Sequence, residues 1–128
     1  MANILMHSSR VLLGVIFLAA GINGYFVFFG LEPFVATSPE AMALFEFDYL
    51  LIAEKTLEIF CGVLLLCNQY MPLTLAVLSP IIANIFLLHL FLDLSLLPLA
   101  IILVISHSFL LYWYRKSFLS LLERKPNP

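Results

Sequence analysis

Four long apolar runs constrain this chain more than any other feature of its sequence. They cover about Ser9–Phe29, Tyr49–Leu66, Leu73–Leu92 and Leu96–Tyr114. Each approaches the roughly 20 mostly apolar residues that a membrane-spanning helix needs. The runs use most of the 128 residues, so no length remains for a soluble domain. The sequence predicts an all-α membrane protein, with one domain over residues 1–128 that forms an antiparallel bundle of four transmembrane helices.

The composition argues against the main alternative, a very hydrophobic soluble bundle. The chain is 63% hydrophobic and 11% charged, whereas globular proteins average about 45–50% apolar and about 25% charged residues. A soluble four-helix bundle needs polar outer faces, and these runs lack them. The expected partner is the lipid bilayer, and no basic surface suggests nucleic acid.

The distribution of charge predicts the orientation. Lysine and arginine lie next to the first and last runs, at Arg10, Arg115, Lys116, Arg124 and Lys125. The connection between the first two runs contains Glu and Asp but no Lys or Arg. By the positive-inside rule both termini are expected on the cytoplasmic side. The expected location is separately a bacterial cytoplasmic (inner) membrane. Residues 115–125 combine bases with apolar side chains and are predicted to lie at the membrane interface.

The second run contains charges that a membrane span normally excludes. Glu54 and Glu58 share a helix face, and Lys55 can reach Glu58 three residues further along the helix. Burying such groups in hydrocarbon is costly, so they persist only with partners or a function. The sequence therefore places its candidate site on this face.

Polar residues of the other runs are expected near the same level. Counting 1.5 Å of rise per residue from the helix ends places these polar residues in the outer half of the membrane, where we expect a pocket. Its predicted ligand-binding or proton-relay residues are Asn23, Glu54, Lys55, Glu58, Asn84, His89 and His107. One interpretation is a buried network that only holds helices together. The other is a site for a ligand or a proton.

Four small residues are predicted to pack helices together. Gly14, Gly21 and Gly24 fall in one arc of the first helix, and Gly62 lies on the charged side of the second. Small residues on one face let a neighbouring helix approach closely.

A metal or haem fits the pattern poorly. Glu54, Glu58 and a histidine could hold a cation, but Lys55 lies in the same patch. His89 and His107 differ in predicted depth by roughly 10 Å, which suits haem ligation across two helices poorly. No nucleotide-binding loop or nucleophile motif is present, so catalytic residues are not assigned.

Several motifs resemble the DoxX-like family of small integral membrane proteins. Arg10-Val-Leu-Leu-Gly14-Val-Ile-Phe-Leu-Ala-Ala-Gly21-Ile-Asn23 is similar to the family's first helix, and Glu58-Ile-Phe-Cys-Gly62 followed by Pro72 is similar to its second. The stretches 80–93 and 113–118 resemble the later part of a DoxX-like subgroup. Many relatives carry a lysine soon after Gly-Ile-Asn. Gly24 stands there in this chain, and Lys55 is a candidate to supply that charge.

The resemblance implies a four-helix membrane protein linked to redox chemistry. Named members of the family are thiosulfate:quinone oxidoreductase subunits or parts of membrane oxidoreductase complexes in thiol stress. This chain has Cys61 and Cys67 but no Cys-x-x-Cys pair, which favours a supporting or quinone-contacting subunit over a catalytic one. Two other hypotheses stay open: a small proton-coupled transporter, and a scaffold that recruits a redox partner subunit or a second copy of itself.

Overall fold

The computed structural model describes residues 1–33, 47–92 and 94–125, and within these ranges the chain is helical, with no strand. The long helices are α1 (Ala2–Phe28), α2 (Asp48–Cys67), α3 (Met71–Phe91) and α4 (Leu97–Trp113). A 3-10 turn, Leu94–Leu96, leads into α4, and a short helix α5 (Arg115–Phe118) and a second 3-10 turn (Leu119–Leu122) follow it. The predicted all-α class is confirmed for these residues.

Three segments have the length and composition of membrane spans. They are Ala2–Phe28, Met71–Phe91 and Leu94–Trp113, and they indicate an integral membrane protein. Helix α2 is 20 residues long but is not among them. It carries the charged side chains of the second apolar run. Most of the predicted acidic connection, residues 34–46, lies outside the described part of the chain.

Helix α1 begins at Ala2 rather than near Ser9. The residues before the first apolar run are more polar, and Asn3, His7 and Ser8 are exposed. They continue the same helix because hydropathy marks where a helix can enter a membrane, not where its backbone hydrogen bonds begin. At 27 residues, α1 is roughly 40 Å long.

A tight turn after α2 reverses the chain into α3. Asn68 adopts a left-handed conformation with φ of 55°, and its N–H donates to the Leu65 carbonyl at 3.3 Å. The next N–H, of Gln69, donates to the Leu64 carbonyl at 3.0 Å. These two bonds form the Schellman motif, which satisfies carbonyls at the end of a helix. Because the turn is short, α2 and α3 are antiparallel neighbours.

The four long helices form a ring in which α1 packs most extensively against α2 and also contacts α4, while α3 contacts α2 and α4. The core between them is apolar, and its buried residues include Leu13, Phe17, Cys61, Leu65, Leu75, Leu78, Leu103 and Leu110. The outward faces are also apolar, as at Val15, Phe60, Leu73, Leu87 and Ile105. Faces of this kind match lipid rather than water as their surroundings.

Candidate functional site

The site is built around an ion pair on α2. The Lys55 Nζ lies 3.2 Å from the Glu58 Oε2, one helical turn apart. Glu58 is 1% exposed, and the Lys55 side chain is 17% exposed. A carboxylate this deeply buried among apolar helices is costly unless a partner compensates its charge. Lys55 provides that compensation.

Two glycines of α1 make room for this pair. A Cβ on Gly24 would overlap the Cγ, Cδ and Cε atoms of Lys55. A Cβ on Gly21 would lie 2.9 Å from the Lys55 carbonyl oxygen and 3.0 Å from the Ile59 nitrogen. The missing side chains therefore let the Lys55 stem lie between two closely packed backbones, as small residues do at membrane helix contacts.

A similar close approach occurs about two turns further along the same helix pair. A Cβ on Gly62 would lie 2.8 Å from the Leu18 nitrogen, and a Cβ on Gly14 would lie 3.0 Å from the Leu66 side chain. Successive contacts thus climb α1 while they descend α2, so the two helices are antiparallel. All four glycines singled out in the sequence face this α1–α2 contact.

Glu54 adds a second acid to the pair. It is half-buried one turn before Glu58, and the charge of its carboxyl group acts on that of Glu58. Lys55 supplies one positive charge to two acids, so an electrically neutral cluster needs a proton or a further positive group. The arrangement can therefore bind a proton or a polar ligand.

Sequence reasoning missed a hydroxyl pair beside this cluster. The Tyr25 hydroxyl and the Thr56 Oγ1 are hydrogen-bonded between α1 and α2. Their neighbours in the chain, Gly24 and Lys55, form the contact described above. No pattern in the sequence marks this contact, because it depends on how α1 and α2 are rotated against each other.

The other predicted site residues lie on α1, α3 and α4. Asn23 is buried on α1, and His89 is buried near the end of α3. Asn84 is exposed on α3. It lies about 140° around that helix from His89, so burying His89 turns Asn84 outward.

His107 belongs to another contact, between α3 and α4. Its Nε2–H donates to the Leu75 carbonyl at 2.9 Å, and the Ser79 hydroxyl donates to the same carbonyl at 2.9 Å. The Ser79 hydroxyl also lies 3.4 Å from the His107 Nε2. Within the described residues, the contacts of the ion pair thus join α1 and α2, and those of His107 join α3 and α4.

Arg10 has a structural role that the charge pattern did not indicate. Its Nη1 donates to the carbonyls of Leu65 and Leu66, at 3.0 Å for Leu66. The same guanidinium contacts the His7 Nδ1 at 3.2 Å. The last carbonyls of a helix lack intrahelical partners and carry its negative dipole end. Arg10 therefore caps α2 from α1.

Two further features lie apart from the ion pair. An open groove runs along the N-terminal half of α1, between Asn3 and Val15, at the opposite end of the helix from Gly24. Across the described ranges, no three His, Cys, Asp or Glu side chains converge as metal ligands.

Comparison with protein-family models, with curated proteins and with solved structures finds no match for this chain.

Proposed function

We propose that this chain is a DoxX-like integral membrane protein with four spans, a subunit or accessory of a membrane redox complex. In this proposal Lys55, Glu58 and Glu54 bind a small polar ligand or the head group of a quinone. The observation that carries it is the ion pair: a glutamate that is 1% exposed and a lysine, enclosed between apolar helices. Ionisable groups in such a setting are functional by default.

The chemistry of the cluster suits a quinone head group. The Lys55 ammonium has three N–H donors, and a quinone carbonyl oxygen accepts hydrogen bonds. A quinone would supply two-electron, two-proton redox chemistry at this site; Lys55 would hold a carbonyl oxygen, and Glu54 and Glu58 would be the groups that carry protons to it. The electrons would come from the redox partner of the proposed complex; within this chain, Cys61 is buried and Cys67 is exposed.

The packing of α2 supports a fourth span. Helix α2 runs antiparallel along α1, from the Arg10 contact with Leu66 to the Gly24 contact with Lys55. Because α1 has the composition of a membrane span, a helix packed along most of its length shares its depth. With four spans and the bases at the ends of the chain, both termini lie on the cytoplasmic side of a bacterial inner membrane.

Retention of quinone tests the proposed site. The protein is purified from membranes in mild detergent, and the quinone extracted per chain is quantified by mass spectrometry. A hydrogen bond to a charged group contributes about 1.5–3 kcal/mol, so Lys55→Met and Glu58→Gln should lower retention roughly 10- to 100-fold. Glu123→Gln, in the exposed tail, is the matched control and should retain the wild-type amount. Wild-type protein without quinone under these conditions would contradict this assignment.

A proton-coupled carrier is the second candidate, favoured by two acids, Glu54 and Glu58, that lie one helical turn apart on the same helix as Lys55. Substrate-dependent proton uptake into liposomes, read by an internal pH-sensitive dye and abolished by Glu58→Gln, would support it. A scaffold predicts a third result. In that case Glu54→Gln and Glu58→Gln leave quinone content and proton flux unchanged, yet a partner subunit or a second copy no longer copurifies.

A further inference from the structure

The chain concentrates its positive charge after α4. Four of its six Lys and Arg residues are Arg115, Lys116, Arg124 and Lys125, and Glu123 is the one acid among residues 115–125. All five of these side chains belong to exposed residues. A short segment with three net positive charges therefore follows directly after a helix with the composition of a membrane span.

Apolar side chains are exposed in the same segment. Leu119 is 61% exposed, Leu121 is 71% exposed and Leu122 is 80% exposed. Phe118 is half-buried and packs against the hydrophobic core. This contact holds the start of the segment against the bundle while the leucines project outward. Bases beside exposed leucines suit a boundary between hydrocarbon and charged head groups.

Arg115 is positioned at the end of α4. Its guanidinium lies 4.2 Å from the centre of the Tyr112 ring, and its Nη1 donates to the Tyr112 carbonyl at 2.9 Å. A guanidinium has five N–H donors in its plane, so the bond to the carbonyl leaves further N–H groups at its edge that can donate to the oxygens of a phosphate group. Trp113 lies between Tyr112 and Arg115 in the sequence, and tryptophan favours the head-group level of a membrane.

We propose that residues 115–125 bind anionic phospholipid head groups at the membrane surface beside the end of α4. The bases bind the phosphates, and Leu119, Leu121 and Leu122 enter the adjoining acyl-chain boundary. Polybasic segments next to a span are attracted to anionic lipids. An acidic protein surface would satisfy the bases but leave the leucines exposed, so lipid is the partner that fits both. The proposal is independent of any ligand at Glu58.

The single tryptophan of the chain makes this testable without labels. The full chain is reconstituted in vesicles of three parts phosphatidylcholine to one part phosphatidylglycerol, with bromine on the acyl chains of one lipid or the other. Bromine quenches nearby tryptophan fluorescence, so quenching of Trp113 reports which lipid lies beside it. Quenching by brominated phosphatidylglycerol should exceed the value set by its mole fraction and should fall in high salt.

Charge variants give the decisive comparison. Arg124→Gln/Lys125→Gln removes two exposed bases and should reduce the preference for the anionic lipid, at low salt by up to roughly fivefold per base. Glu123→Gln should retain or increase it, and Ser117→Ala should leave it unchanged. Circular dichroism and gel filtration show whether each variant is folded. The proposal is overturned if wild-type quenching follows the mole fraction, which would leave an acidic protein surface as the partner, or if the double variant keeps the full preference.

Discussion

A side chain on Gly24 would occupy the space that the Lys55 methylenes fill. Gly24→Ala should therefore displace Lys55 and separate α1 from α2. Inserting a methyl group into a packed contact costs about 1–3 kcal/mol, so the unfolding midpoint in detergent should fall. In a Lys55→Ala background, where the overlapping atoms are gone, the cost of Gly24→Ala should largely disappear. A double-mutant cycle measures this coupling, and fully additive effects would contradict the contact.

The Lys55–Glu58 pair predicts an asymmetry between single and double substitutions. Removing one partner of a buried pair leaves an uncompensated charge and costs about 3–5 kcal/mol, whereas replacing both partners is often nearly neutral. Lys55→Met should thus destabilise the protein strongly, and Lys55→Met/Glu58→Gln should recover most of the loss in a thermal melt. If the pair also binds a ligand, the double variant is stable but binds none. A double variant as unstable as Lys55→Met would argue against the ion pair.

Arg10 predicts a stability effect at the far end of α2. Arg10→Met removes two hydrogen bonds to the carbonyls of Leu65 and Leu66. The substitution should lower the free energy of unfolding by about 1–2 kcal/mol, because the donor is charged but partly exposed. Hydrogen exchange should accelerate at the Asn68 and Gln69 amides, which close the same turn. Arg124→Gln removes a positive charge from the exposed tail and serves as the control. Equal melts for the two variants would show that Arg10 does not cap α2.

The apolar runs predicted the long helices because a run of about 20 apolar residues is enough to indicate a membrane-spanning helix. The second run was expected at Tyr49–Leu66 and the structure has a helix at Asp48–Cys67. The third was expected at Leu73–Leu92 and the helix is Met71–Phe91. Lys55 and Glu58 were likewise predicted to meet, since three residues on one helix fix their distance within narrow limits.

The contacts between residues on different helices could not be predicted in the same way. These helices are apolar nearly all round, so no polar stripe indicates which face turns inward. Depth along the membrane, counted from the turns, grouped Asn84 and His107 with Glu58. The structure instead exposes Asn84 and pairs His107 with Leu75. Arg10 and Leu65 are 55 residues apart, and only the packing of α1 against α2 brings them together.

Thr74 on α3 provides a last test, since it is 1% exposed and its Oγ1 has no hydrogen-bond partner among the described residues. A buried hydroxyl without a partner costs about 1–3 kcal/mol. Thr74→Val keeps nearly the same shape without the hydroxyl, so it should raise the thermal midpoint in detergent. Thr74→Ser keeps the hydroxyl but loses a buried methyl group. It should lower the free energy of unfolding by about 0.5–1.5 kcal/mol, and the midpoint should fall with it. The reverse order, with Thr74→Val less stable than Thr74→Ser, would contradict an unpartnered Thr74 hydroxyl.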